Sequence, residues 1–456
     1  MHTLTQLWSN LRASFWFLPT LIVALNTILA VGLIELDSSG RQDWMNEWPR
    51  LFGAGAAGAR GMLATIAGSM MTVVGVTFSM TLVTLTLVSS QYTSRILRNF
   101  MSDRVTQIVL GLFAGIFTYC LIVLRTIRGG DEGEFVPSLS VAVSVVLAIG
   151  GIGALIFFIH HIASSIQASS IIASVARETL HAVDHMFPDN LGREPKEGDH
   201  TTDVVPLNAW KWQAVMAERN GYIQSVNKEA LLQLASDHKT IVRMDRGIGD
   251  FVVENSPLAS IALEKQADPQ LIVKLRAAWT IDRHRTVNQD CAFGIRQLVD
   301  MALRALSPGI NDTTTAVMCV DYLTAILARV AAQEIPSSHL SVNGELRVIA
   351  IGPTFASMVA GSFDEIRANA EGNVAVMLRM LDALETVAAL TSSPSRRRVL
   401  REQMECVAEV ASRTVYSPHD RTRVEIRLSQ VREAFEMAPP SRGSNPRDSR
   451  HERPIS

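Results

Sequence analysis

The chain has 456 residues, 48% of them hydrophobic and 19% charged, with a formal net charge of −2. That length points to several folding units, and the near-neutral charge, with no basic stripe, argues against nucleic-acid binding. A mean hydropathy of +0.19 averages two unlike parts, an apolar first third and a soluble remainder.

Residues 1–14 read as a short tail. The charge-free run after Arg12, "ASFWFLPTLIVALNTILAVGLI", is long enough to cross a bilayer. It exceeds a usual signal-peptide core and ends without an A-x-A site, which identifies an uncleaved anchor. Further charge-free stretches place spans at about 15–34, 63–90, 105–124 and 139–162, a four-helix transmembrane bundle over 15–162. Trp44 and Trp48 in the first loop suit either the headgroup layer or ordinary loop packing. Four spans put both termini on one side. Loop arginines tie between the two faces, but the tight connector Gln91–Asp103 holds Arg95 and Arg98, whereas the opposite loops carry the acids Asp37, Asp43, Glu47, Asp131, Glu132 and Glu134. The termini are therefore expected on the cytoplasmic side. Cys120, Cys291, Cys319 and Cys406 form no CxxC pair, which fits a reducing compartment.

The second span is unusual. From Thr77, nine of eighteen residues are Ser or Thr, and no charge appears before Arg95. On a helical wheel Thr81, Thr84 and Gln91 fall within about 40° of Thr77, while Gly68, Thr72, Gly75, Ser79, Thr86 and Ser90 gather on the opposite side. Two small or polar stripes call for neighbours on two sides. Small residues let transmembrane helices approach closely, and hydroxyls bond across helices or back to their own carbonyls. Alternatively one stripe, that of Thr77, Thr81, Thr84 and Gln91, lines a hydrated path around an oligomer axis while the other packs.

Residues 163–187 continue the fourth helix as a stalk, on which Glu178, His181 and His185 recur at i, i+3 and i+7. Neutral imidazoles one turn apart can bind zinc, but a solvated helix face is the commoner reason for such a pair, and no metal or cofactor is expected. The adjacent His160 and His161 mark the membrane interface. A Pro- and Gly-rich linker covers 188–207. Residues 208–265 then carry short β-prone runs, "GYIQSV", "TIVRM", "GDFVV" and "PLASI", predicting a small β-barrel or sandwich-like insert whose turn "GDFVVENSPL" is similar to those of lipoyl-type modules in shape alone. Residues 266–438 read as a helical soluble domain with a strand near 344–351, and 439–456 as a disordered tail. Asp300 and Arg304 can pair at i, i+4. In "SPGIND", Ser307, Gly309, Asn311 and Asp312 make a capping turn that could also attract an anion. Arg285, Thr286, Gln289 and Asp290 form the densest polar cluster, read as a capped helix start rather than an acid–base pair. Arg396, Arg397 and Arg398 read as a solvated first helical turn.

Three separated stretches, "FSMTLVTLTLVSSQYTSRILRNFMSDRVTQIVLGLFAGIFTYCLIVLR", "RTVNQDCAFGIRQLVDMALRALSPGIND" and "LRVIAIGPTF", resemble the bacterial predicted membrane proteins grouped as domain-of-unknown-function family 2254. The resemblance runs from about Phe15 to about Ala411. It implies an inner-membrane location and brings no reaction or catalytic residues. Where the family pattern continues SPGIND with proline, this chain has Thr313, which implies a looser turn.

No catalytic motif occurs, so no enzyme is expected. The expectation is a mainly α protein, embedded in the bilayer as a homo-oligomer. Its function is expected to be a channel-like or solute-permeation protein regulated by its soluble domain. The other reading is a membrane-anchored sensor or scaffold whose soluble domain binds a small ligand or a protein without conduction.

Overall fold

The computed structural model describes residues 16–39, 55–91, 103–129, 135–186, 210–262, 268–333 and 338–437, with side chains only to Leu87 in the second segment. The chain divides into two compact units, residues 1–170 and 171–456. The expected tails, the linker, Trp44 and Trp48 lie outside the described residues.

The first unit holds four long apolar helices, α1 (Phe17–Ser38), α2 (Ala56–Gln91), α3 (Arg104–Thr126) and α4 (Ser138–Ser165). α3 is the central one. Its Phe113, Ile116, Tyr119, Cys120 and Val123 are fully buried, together with Ala30 of α1 and Leu63 of α2. α1 meets α3 across a Gly-x-x-x-Gly pair. A Cβ on Gly111 would come within 2.8 Å of the Pro19 backbone, and one on Gly115 within 2.6 Å of the Asn26 amide. Glycines four apart clear the groove into which the neighbouring backbone sinks, and close van der Waals packing is what holds helices together where lipid is as apolar as leucine.

Polar contacts lock the helix ends. α4 begins after Pro137, which offers no side-chain cap. Asp37 of α1 supplies one, accepting from the N–H groups of Leu139 (3.1 Å) and Ser140 (3.0 Å) and from the Ser140 hydroxyl (2.7 Å). The Tyr119 hydroxyl donates to the Ser140 carbonyl at 2.8 Å. Asp103 caps α3 and also receives His161 Nε2 of α4 at 3.0 Å. Burial pushes the Asp103 carboxyl up, but hydrogen bonds from Thr106 and His161 outweigh it and hold the group below its ordinary value. Outward, Val146, Ile149, Ile152 and Ile156 of α4 are more than half exposed. So broad an apolar surface is stable against acyl chains rather than water.

The fourth helix does not run unbroken into a stalk. It stops at Ser165, and α5 (Ala168–Met186) starts after a turn at Ile166–Gln167.

The second unit combines α5 with two sheets and eight more helices. Strands β1 (Trp212–Met216), β2 (Gly221–Val226), β3 (Ile241–Met244), β4 (Phe251–Val252), β5 (Pro257–Ala262) and β6 (Trp279–Asp282), with helices α6 (Lys228–Asp237) and α7 (Pro269–Arg276), make a compact β-rich part. A hairpin of β7 (His339–Val342) and β8 (Glu345–Ile349) joins them through an Asn343–Gly344 turn, both residues having positive φ as such a turn requires. The strand order is β1-β5-β3-β8-β7 in one sheet and β4-β2-β6 in the other. These are two small sheets, and the larger draws strands from both sides of residue 265, because β8 pairs in parallel with β3. The strand expected near 344–351 thus belongs to the sheet formed by the insert. Val242, Leu258, Ile261 and Val348 form the core, sealed by Leu231 of α6 and Leu271 and Leu275 of α7.

The helical part comprises α8 (Cys291–Ala305), α9 (Thr313–Ala332), α10 (Phe355–Asn369), α11 (Val374–Ala389), α12 (Pro394–Thr414) and α13 (Pro418–Glu436). By length and composition five helices among the described residues could cross a membrane: the four of the first unit, and α9 in addition to the expected four. α9 buries Cys319, Val320, Leu323, Ile326, Leu327 and Val330, while its Asp321 pairs with Arg379 of α11 and its Arg329 with Asp184 of α5 at 2.6 Å.

The expected solvated turn at Arg396–Arg398 needs correction. Arg396 is 5% exposed, and its guanidinium donates to the carbonyls of Val330, Ala331 and Gln333 at the end of α9. Arg397 does the same for Ala388 of α11 and for Phe435 and Met437 of α13. Carbonyls at a helix end have no partner within the helix, and a planar cation serves several at once. Only Arg398 points to solvent, pairing with Glu402.

Candidate functional site

The two stripes of α2 have different surroundings. Thr77 and Thr84 are buried within the first unit, on the face that also buries Leu63, Ala67 and Met70, and Thr81 is half-buried. Each hydroxyl returns to its own helix: Thr77 donates to Val73 (2.8 Å), Thr81 to Thr77 (2.8 Å) and Thr84 to Met80 (2.9 Å). A threonine bonded to its i−4 carbonyl is satisfied without water and can sit against apolar neighbours. Within its own unit this stripe is packed against neighbouring side chains.

The opposite stripe looks outward. Gly68, Thr72, Gly75, Ser79 and Thr86 are exposed, and a Cβ on either glycine would meet nothing within 4 Å. Thr72 donates to Gly68 and Thr86 to Leu82. Met71, Phe78 and Leu82 rise on one side of the stripe and Val76 and Val83 on the other, all exposed. The result is a shallow polar groove between two apolar ridges. The side chains of Ser90 and Gln91 lie outside the described residues.

The SPGIND turn sits between α8 and α9. Asn311 takes a left-handed conformation (φ 49°), and Asp312 caps α9 by accepting from the Thr315 N–H (3.0 Å) and hydroxyl (2.6 Å). Those bonds hold the Asp312 carboxyl below its ordinary value. Ser307 donates to the Arg304 carbonyl, and Gly309 is exposed. At the position where the family pattern has proline, the Thr313 hydroxyl accepts from the Asn373 amide at 2.8 Å, tying α9 to the start of α11. Proline could not accept this bond.

Arg285 and Asp290 form a partly enclosed ion pair in the second unit. Asp290 is 4% exposed. Its Oδ2 receives both Nε (2.9 Å) and Nη2 (2.7 Å) of Arg285, while Oδ1 accepts from the Phe293 N–H (3.0 Å) and so caps α8. Burial pushes this carboxyl up, more than the facing guanidinium pulls it down. The guanidinium also lies 5.0 Å from the Phe293 ring centre. Gln289 accepts from the Val226 N–H at 3.1 Å. Gly249, with φ +89°, leaves room for the pair, since a Cβ there would lie 2.5 Å from Asp290 Oδ2. Both carboxylate oxygens are engaged, so the arrangement ties the smaller sheet to α8. On the same helix Asp300 receives Arg296, which also reaches Glu365 of α10.

His181 and His185 are exposed on α5 with their Nε2 atoms 3.1 Å apart. Among the described residues no three His, Cys, Asp or Glu side chains converge as a metal cluster. All four cysteines are free, and burial pushes the Cys291 thiol up to about 12, too high to act as a nucleophile near neutrality. An open cavity of about 480 Å³ lies between the α10–α11 and α12–α13 connections, bordered by Glu371, Thr414, Tyr416 and Asp420.

Two features escape a reading of hydropathy and motifs, and a third does not. Gly111 and Gly115 were legible as a Gly-x-x-x-Gly pair in an apolar run. The Asp37 and Asp103 clamps were not, because their partners lie far away in sequence. Arg396 hid among three arginines that look alike.

No solved structure matches the chain. Uncharacterised proteins of Mycobacterium bovis and of Mycobacterium tuberculosis strain H37Rv are each 31% identical to it over 445 residues, covering 94% of this chain and 83% of theirs. Residues 12–386 match the family described as predicted membrane protein, DUF2254. A match over most of the chain, coinciding with the long apolar helices and with both polar turns around α8, places this protein in the DUF2254 family of predicted membrane proteins.

Proposed function

We propose that the protein is a homo-oligomer of the bacterial inner membrane whose copies meet through the outward groove of α2 and border a hydroxyl-lined permeation path, with the second unit regulating it from the cytoplasm. The observation that carries this reading is the outward stripe of Gly68, Thr72, Gly75, Ser79 and Thr86, which is exposed among the described residues of its own unit. A helix facing only lipid has no use for such a groove; small residues between apolar ridges accept a second helix, and hydroxyls can replace water around a passing solute. The charge-free interior of α2 fits conduction better than proton coupling, which needs an ionisable group within the membrane.

In this reading four helices cross the bilayer and α9 does not. α9 carries Asp321 and Arg329, both paired to neighbouring helices, and its apolar face is the centre of a helical bundle. No catalytic step belongs to it either. A second reading, a membrane-anchored sensor or scaffold without conduction, is favoured by the open cavity beside Glu371 and Tyr416.

Reconstitution separates them. Purified protein in liposomes should be oligomeric and pass small ions or solutes. The T72V/S79A/T86V variant, which removes the hydroxyls but keeps Gly68 and Gly75 for the helix contact, should change flux by at least several-fold while leaving the oligomer intact. Oligomers that pass nothing, with or without cytosolic extract, leave the sensor reading. Loss of assembly in the variant would show that the stripe only holds copies together.

A further inference from the structure

His181 and His185 lie outside the packed core, and their rings lie against each other. Their helix is fixed from below: Val175, Thr179, Ala182 and Val183 of α5 are buried. Between the two histidines, Asp184 is held by Arg329 at 2.6 Å and by Gln333 at 3.2 Å. The backbone that carries both rings is therefore anchored to its neighbours, while the rings themselves face solvent. They stand edge to face with centroids 4.3 Å apart, and their Nε2 atoms approach to 3.1 Å.

Two exposed imidazoles gain little from bonding to each other, because water is an equally good partner. The spacing has another use. With metal–nitrogen bonds of 2.0–2.1 Å, two nitrogens 3.1 Å apart subtend about 95–100° at a shared ion, between the octahedral and tetrahedral angles. Placement at i and i+4 on one helix face brings the two donors over a single turn without any change of fold.

We propose that His181 and His185 form a two-ligand surface site for one nitrogen-seeking divalent transition ion, of the zinc, nickel or copper type. Both rings bind through Nε2 and carry their proton on Nδ1, the ring that donates in the Nε2···Nε2 contact changing tautomer as the ion enters. No third His, Cys, Asp or Glu converges on the pair among the described residues, so water fills the remaining positions. Hard cations such as magnesium and calcium, which demand oxygen donors, are not held. The ion bridges the last turn of α5 and stiffens it.

The test uses untagged full-length protein in detergent, stripped with chelator and titrated with Zn²⁺ by calorimetry, with Cu²⁺ loaded in parallel for electron paramagnetic resonance. One equivalent should bind, with hyperfine structure from two nitrogens. H181A or H185A should weaken binding at least tenfold, and H181A/H185A should abolish it. The control H419A should bind as wild type. Alanine is the best helix former, so the α5 variants should keep their circular dichroism and oligomeric state. Unchanged stoichiometry and affinity in H181A/H185A, a copper spectrum without the two nitrogens, or no binding by the wild type would each overturn the assignment.

Discussion

Gly294 of α8 lies against Thr179 of α5 so closely that a Cβ on it would come within 2.8 Å of the threonine Cβ and Cγ2. Ordinary carbon–carbon contact is about 3.5–4.0 Å, so G294A demands that the helices part by about 1 Å. Thr179 cannot give way. It is fully buried, branched at Cβ, and its hydroxyl is bonded to the Val175 carbonyl at 2.7 Å. Overpacking of this kind costs about 3 kcal/mol at the upper end, and the gain from replacing a helical glycine by alanine returns about 1 kcal/mol. The net loss of about 2 kcal/mol should lower the melting temperature of the full-length protein in detergent by about 2–3 °C. G361A is the matched control. Gly361 lies on the exposed face of α10, with nothing within 4 Å of a Cβ. There the same change should raise the melting temperature by about 1–2 °C. Adding T179A to G294A removes the hydroxyl and Cγ2 and should recover at least about 1 kcal/mol in a double-mutant cycle. If G294A melts at or above wild type, or if the two positions do not couple, the close crossing of α5 and α8 is not as described.

Two further predictions use the helix ends. R396A strips the cap from three carbonyls of α9 and should destabilise the protein by about 2–4 kcal/mol in denaturant titration, whereas R398A, on the surface, should stay within about 0.5 kcal/mol. Equal effects would refute the assignment of Arg396 as a buried cap. D312A should cost about 1 kcal/mol and D312N much less, since the amide oxygen still caps. The folded carboxyl lies below its ordinary value of 3.8, so its contribution is complete above that pH and is lost as the pH falls through the folded value. The stability gap between wild type and D312A should therefore close in acid, and a gap that widens there would refute the reasoning.

Much of this protein could be read from residues taken in order. Charge-free runs of about twenty residues can hardly be anything but membrane-grade helices, because each charge left at the bilayer centre is costly. The turn chemistry was equally local: Asn227, Asp290 and Asp312 cap helices α6, α8 and α9 through bonds spanning three residues. The two stripes of α2 were legible as well, since a helical wheel needs only the period of the helix.

Which stripe faces protein was not legible. Sequence alone allowed the Thr77 side either to pack or to line a path. Its burial depends on α3 lying against that face of α2, and this is a fact about neighbours. The same holds for Arg396 and Arg398, adjacent in type and two apart in sequence, of which one caps a distant helix and the other meets water. β8 lies about a hundred residues beyond β3 and still completes its sheet, through a parallel pairing that no local turn specifies. Local periodicity and capping fix where elements begin, end and turn an apolar face. Which faces meet is decided by the summed burial of many weak contacts between segments far apart in the chain, and only the folded arrangement contains that sum.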